Sequence, residues 1–191
     1  TAILNHVYFK HSVASLHAIM PVNIKKEIFD SSAIESMLNL LFGKEFSFTT
    51  SCDFVQKDCK VKGKIIGGNL SVLYSLLGSE SFGETDDLIL LIEDLDEYFY
   101  HIDRMMQALK RAGKLKNLKA LLVGAMTQMH DNTIPFGKTT YQIIEEAVKQ
   151  YNYPKIFGAS IGHIEERNNA VMIGGKIEIE VKENTIITKQ L

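Results

Sequence analysis

Leu88-Ile89-Leu90-Leu91-Ile92-Glu93-Asp94 is the stretch that decides the fold. Five apolar residues run without alternation, as in a strand buried on both faces, and two carboxylates follow at once. The run is far too short to span a bilayer. Downstream, Tyr98, Phe99, Ile102, Met105, Met106 and Leu109 form one stripe at helical spacing, and Gly113 supplies the stop. Ala120 to Val123 reads as a second buried strand, Thr139 to Tyr151 as a helix, and Lys155 to Ala159 as a third strand. Strand–helix–strand–helix–strand argues for parallel crossovers.

The flanks read differently. Residues 1–10 carry Ile3, Leu4, Val7 and Tyr8 at helical spacing, followed by a strand from Ser12 to Ile19. Asp30, Ser31 or Ser32 is expected to cap a helix through Phe42, with Ser32 and Glu35 at capping-box spacing. Phe46 to Thr50 alternates, and Val55 to Ile66 holds one or two strands. Gly67-Gly68 is expected to break the chain before Asn69 caps a helix through Leu77. Val171 to Thr188 alternates as a hairpin turning near Glu183-Asn184. The fold class is mixed α/β (α+β): a barrel-like sheet with packed helices, in preference to a plain doubly wound sheet.

Composition narrows the function. The 191 residues are 46% apolar, enough for a sizeable core. Lys+Arg 21 against Asp+Glu 23 gives a net charge of -2 with no basic cluster, so nucleic acid is not an expected partner. Neither is a membrane. Cys52 and Cys59 match no zinc knuckle or C-x-x-C pair, and fit thiols in a reducing compartment. No histidine pair has metal-ligand spacing, so neither a metal nor a cofactor is expected. No signal peptide is legible at the start. The chain opens on Thr1 inside an apolar helix, which reads as a sequence cut within an element.

Two residues stand where chemistry is expected. Glu93 ends a buried strand, and ligand sites in α/β proteins gather beyond strand C-termini. From position alone it is open between a functional carboxylate and part of an acidic loop with Asp94, Asp96 and Glu97. His163, in Gly158-Ala159-Ser160-Ile161-Gly162-His163, lies on a glycine-flanked loop after a strand. It is open between a general base and an ordinary loop histidine. His6, His11, His17, His101 and His130 lack such a setting. Gly158 to Gly162 also satisfies G-x-S-x-G, but the helix after it would have to be the short polar Ile164 to Asn169, and His163 is too close to serve Ser160. Gly67-Gly68-Asn69-Leu70 reads equally as a substrate-lining turn or a simple one.

Together these segments resemble the LD-carboxypeptidases, serine peptidases that include murein tetrapeptide LD-carboxypeptidases and microcin C immunity peptidases. Gly63 to Leu70 resembles that family's glycine-glycine-asparagine turn. Leu88 to Asp94, continuing through Tyr100-His101-Ile102-Asp103-Arg104-Met105, resembles its strand, acid and following helix. Leu115 to Gly124 resembles the return to the sheet, and Phe157 to His163 with Met172 to Gly175 its histidine loop and next turn. His17-Ala18-Ile19 departs from the family's His-Gly-Pro. The resemblance implies a Ser–Glu–His triad with Glu93 and His163 present and the serine upstream of Thr1. It also implies substrate contacts at Gly68 and Asn69. Residues 1–20 would be the remnant of an N-terminal Rossmann-like nucleophile domain. Residues 21–191 would be a peptidase domain of the swivelling β/β/α type. The implied setting is a cytoplasmic homodimer acting on a small peptide or muropeptide, together with the missing N-terminal domain.

Overall fold

The structure is a computed structural model that describes residues 1–29, 31–52, 56–164 and 167–191. The helices are α1 (Ala2–His11), α2 (Ser32–Leu41), α3 (Leu70–Ser75), α4 (Phe99–Arg111) and α5 (Thr140–Val148). The strands are β1 (Ser15–His17), β2 (Phe46–Ser51), β3 (Cys59–Asn69), β4 (Ile89–Leu95), β5 (Ala120–Thr127), β6 (Lys155–Phe157), β7 (Val171–Ile173), β8 (Lys176–Lys182) and β9 (Thr185–Gln190).

Seven strands form one mixed sheet in the order β2-β9-β8-β3-β4-β5-β6, while β1 and β7 form a separate antiparallel pair. Long β3 joins two regimes. Its first half, Cys59 to Lys64, pairs antiparallel with β8, and its second half, Ile65 to Asn69, pairs parallel with β4. β4, β5 and β6 continue in parallel, as the crossover pattern requires. The sheet curls until its edges meet through side chains. Cys52 Sγ and Gln56 Nε2 donate to the Phe157 carbonyl at 3.2 and 3.1 Å, and Phe157 N–H donates to Gln56 Oε1 at 2.7 Å. These contacts occupy edge groups that a free strand would leave open, and they give the barrel-like form.

The buried run of β4 sorts by parity. Leu90 and Ile92 face one cluster with Leu70, Leu73, Ile102, Met106, Leu109 and Ile144 from the helices. Ile89 and Leu91 face the other, inside the curl, with Ile65, Leu122, Ile156, Ile177 and Ile179. Successive side chains in a strand point to opposite faces, so a strand covered on both sides reads as continuously apolar. α4 buries Ile102, Met105, Met106 and Leu109, at i, i+3, i+4 and i+7. The hairpin turns at Glu183 and Asn184, both at positive φ (49° and 61°), as a two-residue primed turn needs.

Several expectations need correction. Gly67-Gly68 does not break the chain: β3 runs through both, pairing Gly67 with Leu91 and Gly68 with Ile92. The glycines serve close approach instead, because a Cβ at Gly67 would lie 2.0 Å from the Leu91 carbonyl oxygen. The strand expected from Ser12 to Ile19 shortens to Ser15–His17. Ser31, not Ser32, is the N-cap of α2, so Glu35 sits one position too late for a capping box, and no side-chain cap bond forms. The box occurs at α5, between Thr139 and Gln142. The readings that involved Asp30 and Val55 lie outside the described residues.

Candidate functional site

Glu93 and His163 meet. Nδ1 of His163 lies 2.7 Å from Oε2 of Glu93 across 70 residues of sequence. A carboxylate only accepts, so the imidazole donates from Nδ1 and leaves Nε2 as the nitrogen available to a reacting group. Glu93 lies within β4 rather than after it, and is 1% exposed. It shares the parity of Ile89 and Leu91, so it emerges at the mouth of the curl. Asp94 shares the parity of Leu90 and Ile92 and turns to the helix side. There Ser71 N–H donates to its Oδ2 at 2.8 Å and the Asn69 amide to its Oδ1 at 2.7 Å. Glu97 is engaged by His101, at 2.7 Å. The carboxylate at His163 is therefore Glu93.

Glycines make room for this pair. Opposite Glu93 the pairing slips, with Ile92 opposite Val123 but Asp94 opposite Met126, so Gly124 and Ala125 form a bulge on β5. A Cβ at Gly124 would lie 3.2 Å from Glu93 Cβ, and one at Gly162 (φ +109°) would lie 2.6 Å from Glu93 Oε2. The histidine loop thus rests on the glutamate. Thr127 Oγ1 donates to the His163 carbonyl at 3.2 Å, and Ala125 N–H to that of Ile161 at 2.9 Å.

α1 is clamped beside the site. Asn5, buried, donates from Nδ2 to the Gly67 carbonyl at 2.9 Å and accepts from Gly67 N–H at 3.0 Å. This fixes the first turn of α1 over the end of β3, where Asn69 N–H donates to Thr1 Oγ1 at 2.9 Å. Asn69 is the register partner of Glu93. Its side chain caps α3, with Oδ1 accepting from Val72 N–H at 3.0 Å. Gly68 packs beneath Thr1 and His17. Sequence reasoning overlooked Asn5 and His17. His17 Nε2 lies 3.9 Å from Glu93 Oε1. The departure from His-Gly-Pro was the one signal that marked this histidine.

Ser160 stands apart. Its hydroxyl is within 2.7 Å of Thr50 Oγ1 and accepts from Asn169 Nδ2 at 2.8 Å, in a buried setting. No α-helix follows it among the described residues from Ile164 to Asn169, although Glu165 and Glu166 lie outside them. Ser160→Ala should cost about 1 kcal/mol of stability, since it removes one bond each from Thr50 and Asn169 while both keep bonds to the Ser160 backbone. Under the function proposed below, turnover should stay within about twofold of wild type, since Ser160 is bonded away from His163. A loss of several orders of magnitude would restore the nucleophile elbow.

Burial alone would push Glu93 up, but the hydrogen bond from His163 and the nearness of both imidazoles, with His17 at 3.9 Å, outweigh it and hold the carboxyl well below the usual carboxylate range. The hydrogen bond to Glu93 raises His163, against partial burial. A lowered acid contributes stability that is present above its ordinary value and lost as pH falls through the folded one. A raised base contributes stability that is present below its ordinary value and lost as pH rises through the folded one. The pair should therefore stabilise most between the ordinary values of 4.5 and 6.5. The melting-temperature difference between wild type and His163→Ala, followed across pH, should peak in that window; a flat difference would contradict the linkage.

An α/β domain with a buried carboxylate orienting a loop imidazole is the class that this geometry defines. Residues 62–179 match the model of the LD-carboxypeptidase C-terminal domain. The chain belongs to the LD-carboxypeptidase family. It is 36% identical over 132 residues to a Bacillus subtilis protein named "Probable murein peptide carboxypeptidase", spanning 67% of this chain and 40% of that one. The fold is similar to that of muramoyltetrapeptide carboxypeptidase from Oxalobacter formigenes (TM-score 0.86, 21% identity, 99% of this chain and 65% of that chain). It is similar too to the microcin C7 self immunity protein MccF in complex with aspartyl sulfamoyl adenosine (TM-score 0.83, 20% identity, 100% of this chain and 64% of that chain). The chain thus spans less than two thirds of each of these relatives.

Proposed function

We propose that this chain supplies the acid–base part of a serine carboxypeptidase, with Glu93 and His163 acting on a serine that precedes Thr1. The 2.7 Å contact between His163 Nδ1 and Glu93 Oε2 carries the reading. The placement of α1 supports it, because Thr1, its N-cap, accepts from Asn69 N–H, and Asn69 is the register partner of Glu93. Neutral His163 takes the serine proton on Nε2 as the hydroxyl attacks an amide carbonyl, then returns it to the leaving amine. Glu93 fixes the tautomer and stabilises the imidazolium. Residues 1–20 belong, in this reading, to the nucleophile domain, and residues 21–191 to the peptidase domain. Asn69, opposite Glu93 in register, and Gly68, opposite Ile92, line the substrate in this reading.

The substrate we favour is a murein tetrapeptide losing its terminal D-alanine, in keeping with the names of the Bacillus and Oxalobacter relatives. The setting would be cytoplasmic, the enzyme a homodimer, and the chain by itself inactive. Likeness to the microcin immunity protein supports a second reading, cleavage of an amide in an aminoacyl-nucleotide. The test is to incubate full-length protein with murein tetrapeptide and with an aspartyl-nucleotide amide. Release of D-alanine is expected. Cleavage of the nucleotide conjugate alone would select the second reading, and cleavage of neither would overturn both.

A further inference from the structure

His17 faces the second oxygen of the same carboxylate. His163 occupies Oε2 of Glu93 at 2.7 Å, while His17 Nε2 stands 3.9 Å from Oε1. The His17 side chain is only 11% exposed, and Gly68 leaves room beside it: a Cβ there would lie 3.4 Å from His17 Cδ2. His17 arrives from β1, whose pairing with β7 sets His17 opposite Val171. It is therefore held by a different part of the fold from the His163 loop. Its Nδ1 is buried without a hydrogen-bond partner among the described residues. The carboxylate is thus the acceptor close to the ring, and because a carboxylate only accepts, the ring engages it through a proton on Nε2.

One hydrogen bond does not fix a glutamate. The terminal torsion of Glu is broad, so a contact to Oε2 alone leaves the carboxylate plane free to twist. A second donor on Oε1 removes that freedom and with it the freedom of the imidazole on Oε2. We propose that His17 is a positioning residue, holding Oε1 of Glu93 so that Oε2 stays aligned with His163. The proposal rests on the Glu93–His163 reading above. The 3.9 Å separation is within ion-pair reach and longer than a hydrogen bond. Contacts of this kind often shorten only when substrate is bound.

Full-length protein carrying His17→Ala, His17→Asn or His17→Gln tests this, with kcat and KM measured for D-alanine release and folding checked by thermal melting. Loss of alignment should lower kcat by about 10- to 100-fold in His17→Ala with KM within about twofold, since small misplacements of catalytic groups carry penalties of that order. His17→Gln, whose amide reaches the position of Nε2, should recover most of the loss. His17→Asn, which is too short, should not, and the two amides separate positioning from general polarity even if His17→Ala fails to fold. In a Glu93→Gln background, His17→Ala should add little, because the two act as a unit. Unchanged kcat in folded His17→Ala, a rise in KM alone, or equal activity of the Asn and Gln variants would overturn the assignment. Those outcomes leave the dyad intact as long as Glu93→Gln and His163→Ala remove activity. If those two variants stay active, the proposed function itself fails.

Discussion

Under the proposed function, Glu93→Gln in the full-length protein should lower kcat/KM for peptide cleavage by about 10³- to 10⁴-fold, equivalent to about 4–5.5 kcal/mol of lost transition-state stabilisation. The change is nearly isosteric and leaves the packing around Gly124 and Gly162 in place. What changes is the polarity of the contact at 2.7 Å from His163 Nδ1. A carboxylate accepts there and keeps the imidazole proton on Nδ1. A glutamine can turn its N–H toward Nδ1, which moves the imidazole proton to Nε2, where a base needs a lone pair. The carboxylate charge that would stabilise the imidazolium is lost at the same time. His163→Ala should cost a similar factor, and the double variant should be hardly worse than either single one, because residues that act as a unit are not additive. Rates of D-alanine release, with thermal melting as the folding control, decide the matter. Activity of folded Glu93→Gln within about tenfold of wild type would be inconsistent with a triad role.

Gly67→Ala should be the most destabilising alanine substitution at a described glycine of the sheet. The added Cβ would lie 2.0 Å from the Leu91 carbonyl oxygen and 3.0 Å from the Leu91 carbonyl carbon and nitrogen. Leu91 is central in β4, tied to β3 on one side and β5 on the other, so its backbone cannot yield. The φ of +112° adds strain that an L side chain rarely bears. Overpacking of about 1–3 kcal/mol together with about 1–2 kcal/mol of backbone strain suggests a loss of about 2–5 kcal/mol, a large share of the stability of an ordinary domain. Gly43 and Gly78 give the comparison. Both have positive φ, 69° and 81°, but a Cβ at either meets nothing within 4 Å. Alanine there should cost only about 1 kcal/mol. Urea midpoints of the three variants measure the contrast, and equal midpoints would mean that Leu91 does yield.

The local order of the chain was largely legible because it depends on period and punctuation. The apolar run before Glu93, the stripe of α4 and the hairpin at Glu183-Asn184 each announce themselves within a dozen residues, and each is present. The order of acid, loop histidine and flanking glycines was legible too, and with it the resemblance to a family. Three features were not. Gly67-Gly68 looked like a break, since a sequence does not distinguish a glycine needed for a turn from one needed for a close approach to another strand. Ser160 carried a catalytic pattern that its nearness to His163 already argued against, but its bonds to Thr50 and Asn169 become visible only in the fold. His17 looked ordinary because Glu93 lies 76 positions away and reaches it only through the fold.

The sequence by itself determined most of the elements and the buried strand, and marked Glu93 and His163 as candidates, because hydrophobic period and residue type act locally. Tertiary structure alone decided which carboxylate serves His163. Glu93, Asp94 and Glu97 have the same chemistry and nearly the same position in the chain. Strand parity sends Asp94 to the cap of α3, the first turn of α4 gives Glu97 to His101, and the parallel crossovers bring the His163 loop down on Glu93. That choice depends on which face of a sheet a side chain occupies and which loop covers it. Both are set by packing across the core.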